Sequence, residues 1–175
     1  MRKEFNSQNI TRGDEEALRE LIEQYYPEIL RYCRWHASSK ESAEDAAQES
    51  FLKAIHFISR NQFRGNFRAF LYQIARNTCL DMKKASWNSV DHYEDLLVEP
   101  SEDDQTLSRI ELQADIRNAM KILNDEEREI ILLRFGQELT LREIGKILGQ
   151  PLRTVQSKMR KALSKMKPYL EDVKQ

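Results

Sequence analysis

Glycine and proline are scarce in this chain, five and four among 175 residues. So few breakers leave little room for the repeated tight turns of an all-β fold and favour long helices. Long apolar runs are missing too. The longest is Ile130-Ile131-Leu132-Leu133, well short of the ~18 residues of a membrane span, so direct membrane insertion is not expected. The opening Met1-Arg2-Lys3-Glu4-Phe5-Asn6 lacks the apolar core of a secretory signal, and a cytoplasmic location is expected. The two cysteines, Cys33 and Cys79, show neither metal nor redox spacing and are read as reduced and half-buried. His36, His56 and His92 form neither a ligand set nor a triad. No Gly-rich phosphate loop is present. Asp45 and Glu49 stand one helical turn apart but have no nearby His or metal signature. These absences argue against an enzyme, a small-molecule substrate, a metal or any other cofactor.

Charge is abundant and unevenly placed. Charged residues make up 33% of the chain, against roughly 25% in an average globular protein. Residues 1–90 carry a net +2, residues 91–108 a net −7 and residues 109–175 a net +4. This basic–acidic–basic order suggests two anion-binding modules joined by an acidic strap. The strap holds Pro100 with Asp91, Glu94, Asp95, Glu99, Glu102, Asp103 and Asp104, a composition that suits a flexible linker. The expected fold is therefore all-α, with two small helical domains, residues 1–88 and 109–175, joined by an acidic linker over 89–108.

Apolar residues recur at helical spacing in both halves. Leu18, Leu21, Ile22, Tyr25, Ile29 and Cys33 form the first stripe, and Pro27 predicts a break or kink near Tyr26. Ser42, with Asp45 three residues on, predicts the N-cap of the next helix, whose face is Ala47, Phe51, Ala54, Ile55 and Ile58. Gly65 marks a turn, and Phe67, Phe70, Leu71, Ile74 and Thr78 make a third stripe. In the second half, Leu112, Ile116, Ala119, Met120 and Leu123 share a face. Asn124 with Glu127 predicts a capped helix running to Phe135 and ended by Gly136. Thr140 with Glu143 is a capping box opening a short helix that Gly149 stops. Pro151 then suits the first turn of a last helix with the face Val155, Met159, Leu163, Met166 and Leu170, which Pro168 should end or bend.

Three patterns bear on function. A short capped helix, a turn with Gly149 and Pro151, and a longer basic helix form the helix-turn-helix pattern over residues 139–167. Residues 142–167 carry eight Lys or Arg against Glu143 alone. Arg153, Gln156, Ser157, Arg160 and Lys161 fall away from the apolar stripe, where Arg pairs bidentately with guanine and Gln with adenine. Lys158 and Lys165 suit phosphates. The second pattern is Arg60, Arg64, Arg68, Arg76, Lys83 and Lys84 interleaved with Phe63, Phe67, Phe70 and Tyr72. Such interleaving suits single-stranded DNA, and a loop such as Phe63-Arg64-Gly65-Asn66 can wall a flipped base. Aromatics at helical spacing equally suit a core, and from the residues alone both readings stay open. The third is the acidic face of Glu41, Glu44, Asp45, Gln48 and Glu49, read as a docking surface for a basic partner or as solvated charge.

The whole chain resembles the extracytoplasmic-function group of sigma-70-type factors. Four stretches carry the resemblance: Gly13 to Tyr26, Ala43 to Ala54, Phe67 to Asn77 with Asp81, and Leu141 to Pro151 with Thr154, Val155 and Ser157. It implies an RNA polymerase sigma factor that directs core polymerase to promoters. It implies that Asp45, Gln48 and Glu49 dock on core RNA polymerase and that Arg64, Gly65 and Asn66 capture a base of the minus-ten element. Arg76, Asn77, Lys83 and Lys84 would hold the adjoining DNA, and Arg153, Gln156, Ser157, Lys158, Arg160 and Lys161 would contact the minus-thirty-five element. The implied partners are core polymerase, promoter DNA and an anti-sigma factor. Arg153 stands where the group commonly has Gly, Gln156 where it has a basic residue, Phe70 where it has Trp and Lys158 where it has Arg. A Lys lacks the planar fork of an Arg, so these departures bear on which promoter is read. The alternatives are a helix-turn-helix regulator that needs no polymerase and a mimic that titrates an anti-sigma factor.

Overall fold

The computed structural model describes residues 15–61, 63–85, 116 and 118–171, without the side chains of 84, 85, 170 and 171. Among them no strand occurs. The chain divides into two compact units, Met1–His92 and Tyr93–Gln175. The acidic stretch 89–108 and the face residue Leu112 lie outside the described residues.

The first unit packs three helices, α1 (Glu15–Arg34), α2 (Lys40–Arg60) and α3 (Phe67–Ala85), each against the other two. Glu15 and Glu16 in the first turn of α1 and Arg31 and Arg34 in its last complement the helix dipole. Leu21, Tyr25, Glu28, Ile29, Tyr32 and Cys33 form its buried stripe. The expected break near Tyr26 does not occur: Pro27 sits inside one continuous helix. Its ring lies on the exposed face, and so does Glu23, whose carbonyl loses the Pro27 N–H. Buried side chains on both sides of the proline offset a cost of about 3 kcal/mol.

The cap of helix α2 lies three residues before the expected one. Ser39, not Ser42, is the N-cap, and Ser42 is the third helical residue of a reciprocal capping box: each side chain bonds the other's backbone N–H, at 3.1 and 3.0 Å. The small residues Ala43, Ala46, Ala47 and Ala54 line its buried face and admit close helix approach. Asn66 caps α3, its Oδ1 accepting from Ala69 N–H at 3.0 Å.

An ion pair ties α1 to α3. Arg68 Nε donates to Glu28 Oε2 at 3.0 Å and Nη2 to the same oxygen at 2.7 Å, with Glu28 only 8% exposed. The guanidinium also lies 5.5 Å from the centre of the Tyr72 ring. Burial, then the Glu28 charge, pushes the Tyr72 phenol above its ordinary range. Cys33 and Cys79 are fully buried rather than half-buried. A hydrogen bond with Cys79, together with burial, holds the Cys33 thiol far above its ordinary value.

In the second unit, helical residues 118–121 precede α4 (Asp125–Ile131), whose cap is the expected Asn124–Glu127 box. Arg128 fastens the preceding turn, donating to Leu123 O at 2.8 Å and Met120 O at 3.2 Å. The α-helix does not run to Phe135. From Leu132 to Gly136 the chain widens into a π turn, with Gln137 N–H reaching Leu132 O at 3.2 Å and Leu139 N–H reaching Leu133 O at 3.0 Å. This turn brings Leu132, Leu133 and Leu139 into the core.

Helices α5 (Leu141–Leu148) and α6 (Leu152–Glu171) form the helix-turn-helix. Thr140 and Glu143 make the expected box, and Gly149 takes the left-handed conformation at φ 64 that ends α5. Pro151 stands just before α6, its carbonyl accepting from Thr154 and Val155. Pro168 neither ends nor breaks α6, which runs to Glu171. The buried face of α6 is Val155, Ala162 and Met166 with half-buried Met159. Leu163, expected on that face, is exposed, and so is Ile116; at 100° per residue Ala162 takes the inward position beside Leu163.

Gly145 lies where α5 meets the turn. Its carbonyl accepts from Gln150 N–H at 2.8 Å, and a Cβ there would stand 2.8 Å from Gln150 O. The obstacle is backbone and cannot swing aside. Gly145→Ala is therefore expected to destabilise the second unit by about 1–3 kcal/mol despite alanine's better helix propensity. Urea denaturation of the full chain checks this, and a stabilised variant would contradict it.

Candidate nucleic-acid interface

The helix-turn-helix frame presents one side of α6. Ile144 and Ile147 of α5 and Val155 of α6 are buried, which fixes the rotation of α6. Arg153, Gln156, Ser157, Arg160 and Lys161 are all exposed. Successive helical residues turn by 100°, so Arg153, Ser157, Arg160 and Ser164 gather opposite Val155. The structure thus brings five expected base-facing residues together.

Lys158 and Lys165 sit differently, on the flank turned to α4. Lys158 Nζ donates to Glu126 Oε2 at 2.6 Å and Lys165 Nζ to Glu127 Oε2 at 2.6 Å. The Lys165 bond first, and then the Asn124 backbone N–H, hold the Glu127 carboxyl below its ordinary range despite the opposing effect of burial.

In the first unit the expected minus-ten residues lie at the loop before α3 and along that helix. Arg64, Gly65, Asn66, Asn77 and Lys83 are exposed and Arg76 is half-buried; the side chain of Lys84 lies outside the described residues. Gly65 has φ 137, a conformation that disfavours any side chain. From Asn66 to Lys83 the helix rises about 25 Å, the reach of several nucleotides. Arg68 does not belong to this surface, because Glu28 holds it in the core.

The aromatics divide between the two readings. Phe67 and Tyr72 are buried. Phe63 and Phe70 are half-buried, with ring centres 4.8 Å apart and planes tilted by 38°. Phe57, 44% exposed, lies 5.1 Å from Phe70 and extends the cluster to the surface. Sequence reasoning passed over Phe57, whose signal was an aromatic outside the apolar stripe of α2. In general, exposed aromatic rings can stack on unpaired bases.

On α2, Asp45, Gln48 and Glu49 are exposed together. Glu49 is within 3.5 Å of Lys53 one turn on. Leu52, 63% exposed, lies one turn beyond Gln48 and gives the acidic face an apolar centre that the charge pattern alone did not reveal. Among the described residues no group of three or more His, Cys, Asp and Glu could hold a metal ion, and no helix is long and apolar enough to cross a membrane.

Fold and surface together define an all-helical protein of two units with a helix-turn-helix in the second. The family profile for Sigma-70 region 2 matches residues 21–89, and that for Sigma-70, region 4 matches residues 119–167. The chain is 32% identical over 164 residues to the ECF RNA polymerase sigma factor SigD of Mycobacterium tuberculosis, covering 89% of this chain and 77% of that protein. It is 26% identical over 176 residues to the ECF RNA polymerase sigma factor SigW of Bacillus subtilis, covering 94% of each. Its fold is similar to CnrH, solved in complex with the cytosolic domain of CnrY, with a TM-score of 0.69 at 20% identity and 95% of both chains covered. It is likewise similar to the sigma factor RpoE of Bartonella quintana, solved with the anti-sigma factor NepR, with a TM-score of 0.67 at 20% identity over 87% of this chain and 96% of that one. The chain belongs to the ECF RNA polymerase sigma factors of the sigma-70 family.

Proposed function

We propose that this sigma factor works by binding energy alone, gripping one promoter at two places while a third surface holds core RNA polymerase. Residues 1–88 act as the polymerase-docking and minus-ten domain, residues 89–108 as an acidic linker and residues 109–175 as the minus-thirty-five domain. Asp45, Gln48 and Glu49, centred on Leu52, meet the polymerase. Arg64, Gly65 and Asn66 wall a pocket for an unpaired base, with Phe63, Phe70 and Phe57 as stacking surface. Arg76, Asn77, Lys83 and Lys84 hold the adjoining strand. Arg153, Gln156, Ser157, Arg160 and Lys161 read duplex bases, while Lys158, on the flank of the same helix, is engaged by Glu126. RpoE, a relative by fold, was solved with an anti-sigma factor, which supports an anti-sigma partner here too. The chain acts in the cytoplasm and catalyses no reaction of its own.

The observation that carries the reading is the joint exposure of Arg153, Gln156, Ser157, Arg160 and Lys161 on the outer side of a fully framed helix-turn-helix. A regulator that needs no polymerase would explain that helix but not the exposed Asp45, Gln48, Glu49 and Leu52. Run-off transcription with bacterial core polymerase and the purified full chain, followed by mapping of start sites, tests the proposal. Discrete starts that share two upstream sequence elements are expected. Transcripts no different from those of core polymerase alone would refute it.

A further inference from the structure

Two consecutive carboxylates in the first turn of α4 each hold a lysine of α6, and the two pairs differ in kind. Glu127 is 2% exposed and also accepts from the Asn124 backbone N–H at 3.1 Å, so its pair with Lys165 belongs to the core. Glu126 is 58% exposed and takes no part in the capping box. Its Oε1 accepts from Gln150 Nε2 at 3.3 Å, its Oε2 accepts from Lys158 Nζ at 2.6 Å, and Gln150 Oε1 accepts from Lys158 Nζ at 3.2 Å. Lys158, Glu126 and Gln150 therefore close a ring that joins the DNA-facing helix, the turn before it and α4. Two of the three N–H bonds of the Lys158 ammonium point to protein acceptors, and one of those acceptors carries a full negative charge.

We propose that Glu126 sets the sequence-independent DNA affinity of the second unit by keeping Lys158 neutralised on the flank of the base-reading helix. The inference rests on the reading of α6 as a DNA-binding helix and deepens it. A lysine beside a groove attracts any phosphate whatever the sequence, and such contacts supply nearly all non-specific binding. A phosphate that approaches Lys158 must compete with Glu126 for its charge, and that carboxylate then faces a polyanion. The gain from the contact is largely cancelled. What remains are the exposed residues Arg153, Gln156, Ser157, Arg160 and Lys161, so discrimination between promoter and other DNA rises.

The test uses the full-length chain, without polymerase, and a 30-base-pair duplex of random sequence, with binding measured by fluorescence anisotropy across a sodium chloride series. Glu126→Gln keeps the hydrogen bonds and removes the charge. It is expected to bind about fivefold tighter at low salt, and its plot of log affinity against log salt is expected to steepen by about 0.9, the signature of one added phosphate contact. Lys158→Met should leave the slope of the native chain nearly unchanged but cancel the gain when combined with Glu126→Gln. An unchanged slope in Glu126→Gln, weaker or absent binding by it, or loss of a full contact in Lys158→Met alone would overturn the proposal. Arg160→Glu on the same duplex separates the two readings. If it binds as tightly as the native chain, the DNA-binding role of α6 fails, whereas if it loses binding while Glu126→Gln changes nothing, only the role of Glu126 fails.

Discussion

Arg160→Glu is expected to reduce transcription from a mapped promoter at least about tenfold while leaving assembly with core polymerase intact. Arg160 stands at the centre of the exposed side of α6, one turn from Gln156 and Ser157 and two from Arg153. A bidentate Arg contact with guanine contributes ~1–3 kcal/mol of discrimination, and each factor of ten in binding corresponds to about 1.4 kcal/mol. Reversal removes that contact and sets a carboxylate against the phosphates, so both effects act in one direction. The side chain is exposed and makes no core contact, which predicts an unchanged melting temperature. Run-off yield, with holoenzyme formation followed in parallel, checks this. Full transcription by a folded Arg160→Glu chain would withdraw the base-reading assignment.

The second large effect concerns stability. Glu28→Ala would strand the Arg68 guanidinium, 14% exposed by its side chain, between α1 and α3 without its partner. Breaking one half of a buried pair costs about 3–5 kcal/mol, a large part of the ~5–15 kcal/mol that holds a domain folded. Chemical denaturation of the full chain should show an early transition for the first unit, and that for the second unit should be unmoved. Replacing both partners with apolar residues should recover much of the loss, because the penalty lies in the orphaned charge more than in the missing attraction. A loss below about 1 kcal/mol in Glu28→Ala would mean that the pair is effectively solvated and does not join the two helices.

These two residues mark what the sequence discloses and what it withholds. The exposed position of Arg160 was legible because it follows from local pattern. The capping boxes at Asn124 and Thr140 and the left-handed Gly149 depend on residues three to nine positions apart, and they determine where α6 begins and which way it faces. Arg68 looked like one more cation of a basic stretch, because its partner is 40 residues away. Lys158 and Lys165 were likewise counted as free cations, with acceptors 32 and 38 residues distant. Formal charge along a chain therefore overstates the cationic surface wherever tertiary packing supplies a carboxylate. The misplaced cap of α2 has another cause. Ser39 and Ser42 have the same side chain, and the box closes with Ser rather than Glu at its third position, so Ser39 itself lacks the usual Ser-x-x-Glu signal. Pro27 misled because local propensity yields to burial when the ring faces solvent and apolar residues flank it on the inward side.

The candidate site was legible in outline for a similar reason. Asp45, Gln48 and Glu49 share a face by helical spacing, and the structure leaves that face exposed. Leu52 and Phe57 were not singled out, since an apolar residue within a helix is read by default as core. Only the packed structure shows that Ala46, Ala47, Phe51, Ala54 and Ile58 already fill the inward face of α2, leaving Leu52 and Phe57 to the surface.

The central claim is that a surface of α2 carries this protein on RNA polymerase. Size-exclusion chromatography of the purified full chain with bacterial core polymerase, at near-physiological salt and with no inhibitor present, measures it most directly. The native chain should elute with the polymerase, and the exposed double charge reversal Asp45→Lys with Glu49→Lys should elute alone while remaining folded. Native protein that travels apart from the polymerase, or a double variant that still travels with it, would contradict the account.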